Sequence, residues 1–433
     1  MNQILTGICF LISLGCLSYM GWRFLRMKEY KKSLFVVLII ALIIRVISSL
    51  DPYLHSWDER YHALVAKNLI EHPLTPTLHE NTILEFDNEN WVGSNIWLAK
   101  PSFPLWIMSG SIAVFGNNLI AVRLPSVILG LLAVWLTFLI GRKLFDERTG
   151  LLAAFFHAIN GLVIELIGGR VSSDHVELCF IVMVELAIYF VIINAKEKPT
   201  LKNTVLSGAF MGLAFLSKWY PSLIVMPVWF VLFISYYKFN WLSLLKHGVV
   251  MLMAFGIVIL PWTLYMLEMH QQEMDAILFN ALAAYSSSVE SHDKPFYYYW
   301  HKIMVIFSEL IYVPLVFFIY HSFKSEKKFK HYALLTWILV PLIVFSFADT
   351  KRFTYILISA PAFFIIVSWF WFYIREAYLN TQYRIINGIL LMALIALPIR
   401  YMIERSKLFG GNELVPEFYS YFDKAKERFN ENT

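Results

Sequence analysis

Long apolar runs separated by short polar segments form the dominant pattern of this chain. A helix of about 20 mostly apolar residues is long enough to cross the hydrocarbon core of a bilayer. The segments that meet or approach this length are 4–22, 33–50, 122–142, 150–168, 175–194, 203–217, 220–237, 246–267, 302–321, 331–348, 353–374 and 384–402. The pattern therefore predicts an all-α polytopic membrane protein with about 12 transmembrane helices.

The polar segments between these runs differ in charge from one to the next. Lys and Arg concentrate in alternate segments, which are 23–32, 142–148, 196–202, 238–246, 324–330 and 375–384. Lys and Arg mark the cytoplasmic side of membrane proteins. The remaining loops, including 51–121, are therefore predicted to lie on the outer side of a cytoplasmic (inner) membrane, together with both termini.

The outer loop 51–121 is too long to be a simple connection. Within it, residues 58–71 place Leu64, Val65, Leu69 and Ile70 on a roughly helical repeat, which is typical of an amphipathic helix at the membrane interface. Residues 103–116 are apolar but too short to span. We therefore expect one transmembrane domain over 1–402, with interfacial helices in its first outer loop, and a short outer tail over 403–433.

Composition supports a membrane protein and excludes other classes. The chain is 58% hydrophobic and only 15% charged, whereas a soluble domain carries roughly 25% charged residues. The net charge of +5 comes from basic residues in short loops, so it favours a topological role over nucleic-acid binding. Cys9, Cys16 and Cys179 lie inside apolar runs, without the spacing of a metal site or a disulfide.

Ionisable residues at membrane depth are costly and therefore indicate function. Here they gather in the predicted outer loops: Asp58-Glu59 with Tyr61 and His62, Lys100, Arg170 with Asp174, Lys218, His292, and Lys351-Arg352. Taken together they predict a pocket on the non-cytoplasmic side that contains both carboxylates and cations.

Each group also has a simpler interpretation. A carboxylate at Asp58 can accept a proton from a hydroxyl nucleophile, but acids also stabilise a helix N-terminus. Lys100 can hold a phosphate, but a lysine at the headgroups also extends into water. Arg170 and Asp174 are four residues apart and can pair with each other, and an aromatic membrane belt follows His292.

A cationic cluster at the headgroup level suits a lipid phosphate or pyrophosphate. Positive residues are disfavoured on the outer side, so Lys351-Arg352 indicates an anionic ligand. The sequence has no Gly-rich phosphate loop, so an activated group would have to arrive on a lipid carrier. A divalent metal stays open, since Asp58 and Glu59 can ligate one together with water, but no ligand set is complete.

In order along residues 33–365, the chain resembles the bacterial polyprenyl-phosphate-sugar-dependent glycosyltransferases of the C-type membrane fold, which are related to aminoarabinose transferases and protein O-mannosyltransferases. The matching strings are Asp58-Glu59 with Ala63 and Ala66, Lys100-Pro101, Phe115-Gly116, Arg123-Leu124-Pro125-Ser126, Gly141-Arg142-Lys143-Leu144-Phe145, Gly150-Leu151-Leu152-Ala153-Ala154, Arg170 with Asp174, Lys218, His292-x-Lys294-Pro295-Phe296-Tyr297-Tyr298-Tyr299, and Lys351-Arg352-x-x-Tyr355 with Pro361.

The resemblance implies a role for each matched residue. Asp58 would be the catalytic base, supported by Glu59, and Lys100 would bind the carrier phosphate. Asp174 would hold the acceptor or shape the site. The phosphate path would be lined by Lys218, His292, Lys351 and Arg352. Three departures stand out: His62 where relatives often have Tyr, Trp219-Tyr220 where they often have Gly, and only 403–433 where many have a folded outer domain.

The sequence thus predicts an enzyme that transfers a sugar, with inversion, from a polyprenyl-phosphate carrier to a hydroxyl of a cell-envelope acceptor. The partners would be the lipid-linked donor, membrane lipids and a lipid, glycan or protein acceptor. The alternative is a transporter or flippase of a lipid-linked sugar. Polar residues in helix interiors favour that alternative, namely Asn160, Glu165, Glu177 and Glu185.

Overall fold

The computed structural model describes residues 3–56, 58–80, 94–196, 199–237, 240–283, 286, 294–325, 328–378 and 383–409. These residues form α-helices α1 Gln3–Arg26, α2 Tyr30–Ser48, α3 Asp58–Asn68, α4 Phe103–Phe115, α5 Leu119–Leu144, α6 Glu147–Ala158, α7 Gly161–Ile167, α8 Asp174–Lys196, α9 Leu201–Lys218, α10 Val225–Tyr237, α11 Trp241–Met269, α12 Gln271–Ala283, α13 Tyr298–Phe307, α14 Tyr312–Lys324, α15 Lys328–Phe347, α16 Ala360–Ala377 and α17 Arg384–Ser406. Short 3₁₀ segments cover Tyr220–Ile224, Glu309–Ile311 and Phe353–Ser359.

The all-α class predicted from the sequence is confirmed over these residues. Seven of their helices are long and apolar enough to cross a membrane, and nine if each of two bent helix pairs is one span. One bent pair is α6 with α7, where the axis turns by 56°. The break follows from the sequence, because the Asn160 side chain accepts the Val163 N–H at 3.1 Å and starts a new helix.

The core of the bundle lies around α8 and α16. Helix α8 packs against α5, α9 and α10, and α16 packs against α6 and α14. Small residues allow the closest approaches, as is usual between membrane helices. A Cβ atom on Gly208 of α9 would lie 2.2 Å from the Met251 carbonyl oxygen of α11. A Cβ atom on Gly141 of α5 would lie 2.8 Å from Gly150 of α6.

Helices α3 and α4 lie in the predicted first outer loop, where interfacial helices were expected. Helix α3 buries Val65 and leaves Leu64 exposed, so only part of its apolar repeat contacts protein. It packs against α4 and against the start of α8. This packing brings the acidic N-terminus of α3 onto the membrane bundle.

Candidate active site

Two side chains of α3 bind the start of α8, one at the residue before the helix and one at its first residue. Oδ2 of Asp58 accepts the backbone N–H of Ser173 at 2.6 Å. One turn further along α3, Nδ1 of His62 lies 2.7 Å from Oδ1 of Asp174, and both of these side chains are fully buried. We refer to these two contacts as the α3–α8 clamp. It unites two stretches that are more than 100 residues apart in the chain.

Charged groups from α3 itself and from two other segments surround Asp58. Burial by itself would raise the pKa of Asp58, but the charges of Lys100, His62 and Arg352, together with the Ser173 hydrogen bond, outweigh burial and lower the pKa. The carboxylate is therefore ionised at neutral pH and can accept a proton. The structure thus places Lys100 and the start of α8, with Asp174, near Asp58.

Lys218, the last residue of α9, is a further cation near Lys100 and Arg352. Its ammonium group donates to the buried carboxylate of Glu177 and lies 4.6 Å from the centre of the Tyr355 ring. Lys100 and Arg352 lie within electrostatic range of Lys218. We refer to Lys100, Lys218 and Arg352 as the cation cluster. It is suited to a phosphate group.

The two residues of the Lys351-Arg352 pair have different surroundings. Lys351 is buried and donates to the carbonyl oxygen of Ala348, just beyond the C-terminus of α15. The hydroxyl of Tyr299 donates to the Arg352 carbonyl oxygen at 3.1 Å and holds this turn in place. The charge of Arg352 acts on both Asp58 and Lys218.

Glu59 lies behind the site in a buried ion pair. It accepts two hydrogen bonds from Arg123, at 2.7 and 3.0 Å, and one from the backbone N–H of His55 at 2.6 Å. Nε2 of His175 lies 3.2 Å from the same carboxylate. Burial opposes ionisation, but the bonds to His175 and Arg123 lower the pKa of Glu59 to about 2. These contacts to protein favour a positioning role over direct catalysis.

Arg123 is a residue whose role the sequence did not predict. Besides Glu59, its guanidinium group binds three carbonyl oxygens of the segment that leads into α3, those of Ser49, Asp51 and Tyr53. A cation at the predicted outer end of the predicted span 122–142 was a usable signal, because the same rule singled out Lys351-Arg352. Arg123 therefore joins the start of α5 to the segment that carries the candidate base.

Arg170 is also occupied by protein groups. It donates to Oδ2 of Asp51 at 2.7 Å, to the Ser48 carbonyl at 3.0 Å and to the Arg405 carbonyl at 2.7 Å. The pairing with Asp174 that the spacing allowed is wrong, since His62 takes that place. Arg170 thus connects the ends of α2 and α17 to the turn before α8, and we expect it to position the site.

The remaining predicted residues are less informative. Tyr61 is partly buried among apolar side chains that include Trp97 and Leu105. His292 lies outside the described residues. Among the residues that the structure describes, the group with metal-ligand spacing is an exposed trio between α3 and α4, Glu71, His72 and Glu80, and it does not include Asp58 or Glu59.

Known proteins resemble this chain in both sequence and fold. A family model described as dolichyl-phosphate-mannose-protein mannosyltransferase matches residues 99–265. An undecaprenyl phosphate-alpha-4-amino-4-deoxy-L-arabinose arabinosyl transferase of Pseudomonas aeruginosa is 27% identical over 62% of this chain and 49% of its own length. A second such transferase, of Pseudomonas fluorescens, is 28% identical over the same shares.

The family resemblance seen in the sequence is confirmed. The chain is similar to aminoarabinose transferases over 62% of its length and to the mannosyltransferase family model over residues 99–265, and it spans about half the length of the curated relatives it matches.

Solved structures show the same fold. The crystal structure of ArnT from Cupriavidus metallidurans bound to undecaprenyl phosphate has a TM-score of 0.64 at 14% identity and covers 87% of this chain and 74% of that one. The oligosaccharyltransferase AglB from Archaeoglobus fulgidus, in complex with an inhibitory peptide and a dolichol-phosphate, has a TM-score of 0.59 at 15% identity. It covers 88% of this chain and 57% of that one.

Proposed function

We propose that this protein transfers a sugar from a polyprenyl-phosphate carrier to a hydroxyl group of a cell-envelope acceptor, with inversion at the anomeric carbon. The observation that carries the proposal is the position of one ionised carboxylate, Asp58. It lies close enough to Lys100 and Arg352 for their charges to lower its pKa. A base beside a phosphate-binding cation cluster is what this reaction requires. The relatives named above act on undecaprenyl phosphate-linked aminoarabinose, which agrees with a lipid-linked donor.

The proposed reaction is a direct displacement. The acceptor O–H gives its proton to Asp58, and its oxygen forms a bond to the anomeric carbon. The bond from that carbon to the phosphate oxygen breaks, and the electron pair leaves with the polyprenyl phosphate. The cation cluster stabilises the charge that develops on the leaving phosphate, which we expect to contribute more than proton transfer. The chemistry at Asp58 and the cluster needs no bound metal in this scheme.

The proposal places this site on the non-cytoplasmic side of the cytoplasmic membrane, within one transmembrane domain over 1–402. The described helices coincide with all twelve predicted segments, two of which fall on the bent pairs. We propose that α2, α9 and α10, with its preceding 3₁₀ turn, also cross the membrane. They bring the number of spans from nine to about twelve.

The membrane-interior acids do not support the transporter alternative. Glu165 pairs with Arg405 at 2.7 Å, and Glu185 accepts the Thr137 hydroxyl at 2.7 Å. Glu177 pairs with Lys218. Each acid thus has a partner within the protein, which accounts for its presence in an apolar helix.

The test replaces the candidate base, Asp58, and the candidate phosphate-binding residue, Lys100, in separate variants. Asp58→Asn keeps an acceptor for the Ser173 N–H but cannot take a proton, so turnover is expected to fall roughly 10²- to 10⁴-fold with donor binding retained. Lys100→Ala is expected to weaken donor binding by roughly tenfold or more. The assay is transfer of a labelled sugar by the purified, membrane-reconstituted protein.

Matched controls use exposed residues of the same types. Asp275→Asn on α12 and Lys67→Ala on α3 change residues that are exposed, and both variants should transfer sugar at the wild-type rate. Full activity of Asp58→Asn in a folded protein would rule out this mechanism. Movement of intact donor across a vesicle without a covalent product would instead support a transporter.

A further inference from the structure

Glu177 places a buried negative charge beside the cation cluster. It lies on α8, three residues after Asp174, and is fully buried. Its carboxylate binds the Lys218 ammonium group, which also contacts the faces of the Tyr355 and Phe180 rings, at 4.6 and 5.8 Å from their centres. The positive charge of Lys218 is therefore already balanced by the Glu177 carboxylate before any phosphate enters the site.

The reaction proposed above changes the charge of the lipid phosphate. The donor is a phosphodiester and carries one negative charge. The product is a phosphate monoester, whose charge at pH 7 is about −1.5 to −2 because its second pKa is about 6. Without Glu177, the cations of the cluster would therefore bind the product more tightly than the donor. An enzyme with such a pocket would retain its product.

We propose that Glu177 is a positioning residue that acts through Lys218 and limits the affinity of the site for the leaving polyprenyl phosphate. This inference rests on the proposed function, because it assumes that the cation cluster holds the carrier phosphate. Because Glu177 pairs with Lys218, it weakens the attraction of Lys218 for the second negative charge that the phosphate gains during the reaction. The donor, with a single charge, depends less on that field, so the pair promotes product release at little expense in donor binding.

The experiment compares two defined lipids that differ by one charge. Undecaprenyl phosphate represents the product, and its monomethyl ester represents the charge of the donor. Their dissociation constants are measured with the full chain in nanodiscs at pH 7.5. In Glu177→Gln, binding of undecaprenyl phosphate is expected to tighten by about tenfold relative to the ester, the size expected for one nearby charge in a partly screened site.

Three further variants separate charge from structure. Glu177→Asp keeps the charge and should preserve the wild-type ratio of the two dissociation constants. Glu185→Gln removes an equally buried acid from the same helix, away from the cluster, and should leave that ratio unchanged. The double variant Glu177→Gln/Lys218→Gln leaves no unpaired buried ion from this pair, so it is expected to fold and to return the ratio to the wild-type value.

In a transfer assay, Glu177→Gln should show product inhibition at about tenfold lower undecaprenyl phosphate, with a smaller change in the KM for the donor. Equal changes for both lipids, or weaker binding of undecaprenyl phosphate by Glu177→Gln, would overturn the inference. The inference would also be overturned if the double variant bound undecaprenyl phosphate more weakly than the wild type but bound the ester equally well. If the wild type binds both lipids but transfers no sugar, the proposed function fails, while the binding ratios still test the role of Glu177.

Discussion

Gly169 occupies the tightest position around the site. It has a φ of 73°, and a Cβ atom there would lie 2.3 Å from Oε1 of Glu59. Both features require glycine, since an L side chain is strained at this φ and would displace the Glu59 carboxylate.

We therefore expect Gly169→Ala to destabilise the protein by at least about 2 kcal/mol and to reduce sugar transfer. Thermal unfolding in detergent measures the first effect. The control is Gly110→Ala on α4, because a Cβ atom at Gly110 meets nothing within 4 Å. Equal stability of the two variants would contradict the prediction.

Glu59 gives the stability of the protein a dependence on acid pH. Its folded pKa of about 2 lies below the value of about 4.3 expected in an unfolded chain. A depressed pKa contributes stability that is fully present above the unfolded value and is lost as the pH falls through the folded value. The loss should therefore occur between about pH 4.3 and pH 2.

Glu59→Gln should be less stable at neutral pH, because Arg123 loses its buried counter-ion. The variant should also lose less stability than the wild type on acidification across that window. Unfolding temperatures measured from pH 2 to pH 7 test both statements, with the exposed Glu71→Gln as control. The same acid-dependent loss in Glu59→Gln and the wild type would show that Glu59 is not its source.

At the scale of elements, the α3–α8 clamp aligns the candidate base with the bundle. Ser173 has a φ of 69°, a value that is uncommon for a residue other than glycine. This conformation directs its N–H to Asp58. Such strain persists where the surroundings hold it, and the adjacent His62–Asp174 contact supplies that support.

A double-mutant cycle measures how strongly the clamp couples the two helices. His62→Ala and Asp174→Ala should each destabilise the protein, because each leaves a buried polar partner unpaired. Their effects should not add, with a coupling energy of about 1–3 kcal/mol. The control cycle uses the more exposed Arg148–Glu376 ion pair, at 2.7 Å, where about 1 kcal/mol or less is expected. Equal coupling in both cycles would contradict a special role for the clamp.

At the scale of the whole molecule, the proposed orientation exposes opposite ends of the bundle to opposite sides of the membrane. In a variant that lacks Cys9, Cys16 and Cys179, a single cysteine is introduced at His72 in the first outer loop or at Lys31 at the start of α2. Both positions are exposed. A membrane-impermeant maleimide added from outside should label position 72 and not position 31. The reverse result would place the site on the cytoplasmic side and contradict the proposed use of an outer lipid-linked donor.

The helices and their approximate bounds could be predicted from the sequence, because a membrane-crossing helix depends on local length and hydrophobicity. The break after α6 was not predicted, although Asn160 and Gly161 mark it. The number of spans stays a proposal, because α9 and α10 are short and only a 3₁₀ turn separates them.

The sequence alone also indicated that acids and cations would meet at one face, because charges are costly in lipid wherever they occur. It did not indicate which of them point into the site. Tertiary packing decided that Asp58, Lys100, Lys218 and Arg352 share one electrostatic environment. Packing also decided that Glu59, Arg170 and Lys351 bind protein groups. The physical reason is that a side chain's partners depend on how distant helices cross, which no local pattern of residues contains.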